Sequence, residues 1–320
     1  MIKLILVPLD GSEFSEQALP TAQAIAKREN ADLELVHVYE MIWPHLTQGA
    51  PPLDPSLDLE LRNRAHERLE KLAESMRNAT GISVKATLLD GTPEDELAAY
   101  IERRHIDLVV MSTHGHGGVS RFWLGGIGSD LAERSLAPVL LIKPEAAGSP
   151  KTRTRSFSHV LIPLDGSRLG EEAIDHAIVV AGIDDVEYQL LLVLPPIGEV
   201  TDVPVVGLPN DEQLHEVAIS YLEGIAKNFR ALGVNVDFHT VRHSSKARAI
   251  LDAADASGSD LIAMETHGGG GLRRRLMGGV ADKVMRASRV PMLMHRPHVD
   301  ERAHAGNESA SAMTTGTRTS

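Results

Sequence analysis

The residues with the clearest chemistry are glycines. The segment Ser112–Ser129 holds Gly115, Gly117, Gly118, Gly125, Gly126 and Gly128, and helix-forming residues follow it. Glycine lets a backbone adopt positive φ and come close to a ligand. Successive N–H groups leading into a helix N-terminus then form a nest for an anion. Such a nest needs no cationic side chain, so it can hold phosphate on a chain whose net charge is −12. Each charge-assisted hydrogen bond contributes roughly 1.5–3 kcal/mol. Three or four of them reach about −8 kcal/mol, a micromolar affinity, after the costs of association. Arg121 lies inside the loop, within reach of a terminal phosphate. His114 and His116 also lie there. No Asp or Glu stands beside them to complete a ligand set, so they read as structural or ligand-contacting and no metal is expected.

A second group precedes the loop. Leu9, Asp10, Gly11 and Ser12 follow an apolar run, which places the Asp10 carboxylate at the carboxyl end of a strand. It either accepts hydrogen bonds from a ligand or braces the turn into the next helix. No lysine follows the glycines as in a Walker loop, and no Asp/Glu pair stands ready for Mg2+.

Both groups occur twice. LILVPLDGS at Leu4–Ser12 returns as HVLIPLDGS at His159–Ser167, and MSTHGHGG at Met111–Gly118 returns as METHGGGG at Met264–Gly271. LGGI (Leu124–Ile127) and APVLLIK (Ala137–Lys143) return as MGGV (Met277–Val280) and VPMLMHR (Val290–Arg296). Matching blocks in matching order imply two copies of one domain. We expect domains at 1–145 and 157–298, joined by an exposed linker over Glu145–Ser156, with a disordered tail at 299–320.

Within the first copy, apolar runs and helical periodicity alternate. Strands are expected at Ile2–Pro8, Leu33–Tyr39, Ile82–Leu88, Asp107–Met111 and Pro138–Lys143. Helices are expected at Phe14–Arg28, Leu57–Asn78, Pro93–Arg104 and Ser129–Ser135, with Ser12 capping the first. The Pro-rich segment Met41–Pro55 reads as a flap. The alternation predicts an α/β fold: two similar doubly wound domains, each a mostly parallel sheet with helices on both faces. Ligands of such sheets bind beyond the carboxyl ends of the strands, where the winding reverses. Aromatics make up only 3% of residues, so aliphatic side chains must fill the core. There is no cysteine, which excludes disulfides and thiolate chemistry and fits a cytoplasmic protein. The acidic balance argues against nucleic acid as a partner, and no apolar run is long enough to span a membrane.

On these residues the chain resembles the universal stress protein family, as a tandem two-domain member. The family's ATP-binding members carry G-x2-G-x9-G-(S/T) after the fourth strand. A literal match falls on Gly115, Gly118, Gly128 and Ser129. Anchoring on the fourth strand gives Ser112, Gly115, Gly125 and Gly126 instead, and that register recurs in the second copy. The resemblance implies five-stranded sheets of order 3-2-1-4-5. It implies Asp10 near the adenosine, the Val38 backbone near adenine, and phosphates on the N–H groups of Gly115, Gly125, Gly126 and Ile127. The second-copy counterparts are Asp165, Val193, Gly268, Gly278, Gly279 and Val280. Glu265 replaces Ser112 there. A carboxylate about 5 Å from a phosphate would cost roughly 3 kcal/mol at an effective dielectric of 20, so the second site is the weaker candidate. The expected ligand is ATP, with or without Mg2+, and the expected role is stress-response regulation. A scaffold that binds no nucleotide and a slow ATPase are the alternatives. The two domains are expected to pair internally through their last strands, and the chain could also form a homodimer with itself or engage a protein partner.

Overall fold

A computed structural model describes residues 1–40, 55–113, 126–143, 156–196, 211–266 and 277–296. The expected linker, flap and tail lie largely outside these residues, as do His114, Gly115, His116, Gly118, Arg121, Gly125 and Gly268.

The first half runs β1 (Leu4–Pro8), α1 (Glu13–Glu16), α2 (Leu19–Glu29), β2 (Asp32–Tyr39), α3 (Pro55–Thr80), β3 (Val84–Asp90), α4 (Pro93–Arg104), β4 (Leu108–Ser112), α5 (Gly126–Arg134) and β5 (Val139–Ile142). The second half repeats the plan as β6 (His159–Leu164), α6 (Arg168–Ala181), β7 (Glu187–Leu194), α7 (Asp211–Ala231), β8 (Asn235–Arg242), α8 (Lys246–Ser257), β9 (Leu261–Glu265), α9 (Gly279–Ala287) and β10 (Met292–His295). Strand ends fall within two residues of the expected ones in the first half.

One expected element divides. The helix read over Phe14–Arg28 is two helices, with Gln17 and Ala18 between them. Pro20 sits in the first turn of the second piece. Its ring would collide with the carbonyl four residues back, and it has no N–H to continue the ladder, so the chain restarts there. Ser12 caps α1 as expected, its hydroxyl accepting from the Ser15 N–H at 3.1 Å. In α5 the difference is one of start: the helix begins at Gly126, three residues before Ser129.

The sheet order in the first half is β3-β2-β1-β4-β5, and the second half mirrors it as β10-β9-β6-β7-β8. All pairs within a half are parallel. At the centre β5 and β10 pair antiparallel, with Leu141 opposite Met292, Leu140 opposite Leu293 and Val139 opposite Met294. One sheet of ten strands results. The six seam side chains are all buried. Runs such as Leu4–Pro8 and Val139–Ile142 are apolar throughout because helices cover both faces. One core layer packs under α2, α3, α6 and α7, the other under α4, α5, α8 and α9, and each spans both halves. Cations strap the halves at two helix ends. Arg28 donates to the carbonyls of Val179 and Val180 at the end of α6, at 2.6 and 2.9 Å. Lys143 donates to the Met285 carbonyl at 3.0 Å.

Candidate functional site

In the first half β1 lies between β2 and β4, so the chain reverses its winding at β1/β4. A cavity opens at the carboxyl ends of these strands. Leu9 and Asp10 line it after β1, Val36, His37 and Val38 on β2, and Met111, Ser112 and Thr113 at the end of β4. Pro93 and Leu97 of α4 and Ile127 and Gly128 of α5 also line it. Of the expected residues, the structure brings Leu9, Asp10, Val38, Ser112, Ile127 and Gly128 to this one cavity. Gly126 and Ser129 stand beside them in the first turn of α5 but do not line it. The first N–H groups of a helix have no acceptor within it.

The walls follow from strand geometry. The Leu9 N–H donates to the Val36 carbonyl at 2.8 Å, so the main-chain groups of Val36 face β1. Two residues on, those of Val38 face the same side, beyond the last residue of β1. Val36, Val38, Leu97, Met111 and Ile127 give that end of the cavity an apolar surface suited to a planar base.

Asp10 does the local work of a turn. Its Oδ1 accepts from the Ser12 N–H at 2.9 Å and from the Ser12 hydroxyl at 2.6 Å. Gly11 has φ +80°, a value only glycine adopts without strain, and Gly166 repeats it at +84°. Asp165 likewise accepts from the Ser167 N–H, at 3.0 Å. The sequence reading did not single out His37. His37 Nδ1 donates to the Leu9 carbonyl at 2.7 Å, which fixes the imidazole tautomer at the cavity edge. A second cavity, between Asp10, Gly11, His37 and the Arg64, Arg68 and Leu72 side of α3, adjoins the first.

The second half differs. Val193 is buried, whereas Val38 is half-buried. Gly278 and Gly279 stand at the start of α9, followed by half-buried Val280. The Gly278 N–H is already taken by the Thr266 carbonyl at 2.9 Å. Glu265 is buried at the end of β9. It turns under α6, where its Oε2 lies 2.9 Å from His295 Nδ1. Burial pushes its carboxyl up to about 9, with the Glu172 charge adding to the effect. Glu265 and His295 share one buried hydrogen bond. Burial, with the neighbouring His295 adding to it, also holds His176 down at about 4.

Paired, doubly wound α/β units with a crevice at the switch point define the class of protein. The sequence profile of the universal stress protein family matches residues 1–143 and again 156–296. The chain belongs to the universal stress protein family, as a tandem member. A universal stress protein of Mycolicibacterium smegmatis is 26% identical over 301 residues, covering 92% of this chain and 97% of its own length. One from Methanocaldococcus jannaschii is 30% identical over 146 residues, 45% of this chain and 83% of that protein. The crystal structure of a universal stress protein from Archaeoglobus fulgidus superposes with a TM-score of 0.66 at 19% identity, covering 93% of this chain and 97% of that one. Among the described residues no helix is long and apolar enough to cross a membrane.

Proposed function

We propose that the crevice of the first half binds an adenine nucleotide, ATP, and that the protein is a cytoplasmic stress-response regulator whose conformation or partner choice depends on that ligand. The observation that carries this is the meeting, in one cavity, of four elements: an apolar slot, the outward main chain of Val38, the Asp10 turn, and the first turn of α5. The slot takes the base. The turn and His37 lie where a ribose would sit. The α5 amides, with the Gly115 and Gly125 loop, take the phosphates, and Mg2+ would accompany them from solvent.

Slow ATP hydrolysis is the second reading, with Arg64 and Arg68 bordering the adjoining cavity. The second half, with Val193 buried where Val38 is half-buried, is the weaker nucleotide site, and a scaffold role suits it. The test is mass spectrometry of small molecules released from the native protein, followed by calorimetry with ATP, AMP and cyclic AMP. We expect one equivalent of ATP per chain and its loss in Gly115→Val. Binding unchanged in that variant would refute the phosphate assignment, and no binding at millimolar ligand would favour the scaffold.

A further inference from the structure

We propose that the second half holds a divalent transition-metal site of the zinc type, built by His176, Glu265 and His295 and completed by Glu172. Glu265 and His295 end adjacent strands and are direct partners in the β9–β10 ladder. Both side chains turn under α6, where the His176 and His295 ring centroids are 4.0 Å apart. One ligand atom from each of the three residues lies within 4.8 Å of the others. Glu172 stands one helical turn before His176, and its Oε2 lies 4.0 Å from His295 Nδ1.

Three observations separate this cluster from ordinary packing. The Glu265 side chain is only 2% exposed, and its Oε1 has no hydrogen-bond partner. A buried carboxyl oxygen without a donor is what a cation would satisfy. The first half supplies an internal control. There the matching positions hold Thr21, Ser112 and Ile142, and Ser112 and Ile142 are again ladder partners. The same architecture therefore forms without any of these groups. Lastly, the donor set is chemically coherent. Two imidazoles with carboxylate oxygen suit Zn2+ and its first-row neighbours better than Mg2+ or Ca2+. Ligands about 2.0–2.2 Å from a tetrahedral metal sit roughly 3.4 Å from each other, so the cluster must draw in by about 1 Å. His176 is half-buried and Glu172 is 42% exposed, which leaves room for that movement and a route from solvent.

The experiment titrates chelator-treated full-length protein with Zn2+ against a chromogenic indicator, and with Co2+ by visible absorption. One equivalent of Zn2+ per chain is expected, together with the intense d–d bands of four-coordinate Co2+. His176→Thr, Glu265→Ser and His295→Ile install the first-half residues and should each weaken Zn2+ by about a hundredfold or more. Glu172→Gln should weaken it by about tenfold, and His66→Asn, on the exposed face of α3, should leave it unchanged. Circular dichroism identifies any variant that does not fold. The wild-type Co2+ spectrum and His176→Thr, on a half-buried helix face, carry the test in that case. Failure to take up a stoichiometric equivalent, a Co2+ spectrum of the hexaaquo type, or uptake undiminished in the folded variants would overturn the proposal.

Discussion

Gly126 offers a direct test of the phosphate assignment, because the structure separates its effect on folding from its effect on the ligand. It opens α5, is exposed, and lies outside the left-handed region. A Cβ built there meets nothing nearer than Glu94 Oε1 at 3.9 Å. A side chain is thus admitted without strain. Replacing glycine in a helix relieves about 0.5–1 kcal/mol of backbone entropy for alanine and somewhat less for serine. Gly126→Ser is therefore expected to melt at or above the wild-type temperature. The new hydroxyl stands at the mouth of the crevice. Donating to a charged phosphate oxygen is worth about 1.5–3 kcal/mol in a dry site, and an exposed position takes the lower figure, near tenfold in Kd. Gly126→Val should fold equally well but crowd the same approach and weaken ATP by tenfold or more. Calorimetry with ATP and thermal melts of the three proteins decide the matter. Equal ATP affinity in all three, with melting unchanged, would refute the placement of phosphate at the head of α5.

Further outcomes concern stability and its pH dependence. Arg28→Met removes both bonds to the end of α6. Since the side chain is 36% exposed, the charge effect is damped, and urea titration should show a loss of about 1–2 kcal/mol. Glu34 is buried in β2. Burial raises its carboxyl, but hydrogen bonds from Tyr100 and Lys85 and the charges of Lys85 and Arg104 outweigh that and hold it below the ordinary value. Its stabilisation is therefore full above the unfolded carboxyl value and lost as pH falls through the folded one. Glu34→Gln should cost about 1–2 kcal/mol at pH 7, with the gap to wild type closing in acid. Burial pushes Lys143 down to about 8. The charged form is disfavoured in the fold, so the penalty is full below pH 8 and is relieved as pH rises toward the unfolded lysine value. Wild-type stability relative to Lys143→Met should climb over that interval, as read by chemical denaturation.

The architecture was legible where the pattern was local and repeated. Apolar runs such as Leu4–Pro8 and the two PLDGS turns locate strands and switch point because burial on both faces leaves no polar positions to confuse the period. The exit from β1 was equally readable, since Asp10-Gly11-Ser12 is a turn by its own chemistry. The break before α2 was in view at Pro20 but was outweighed by helical spacing on either side. His37 was missed because its role depends on the Leu9 carbonyl, 28 residues away and visible only once β1 and β2 pair. Glu265 stood out only through the repeat. Aligning the copies set it against Ser112 at the end of β4, but its partner His295 is 30 residues on, and neither repeat block suggests their pairing. His176 sits on a helix that periodicity treats only as a face toward the sheet. Such clusters need strand adjacency, which composition does not supply.

The antiparallel pairing of β5 with β10 has a directional consequence. Parallel strands within each half all end on the same rim, but the seam turns one half around relative to the other. The crevice of the first half and the His/Glu cluster of the second therefore open on opposite rims of a shared sheet. Occupants of the two do not meet. One line of contact between the halves crosses the centre, where Val139 lies across from Met294, the immediate neighbour of His295. A change in strand twist there would be felt in both halves, and it belongs to a single chain.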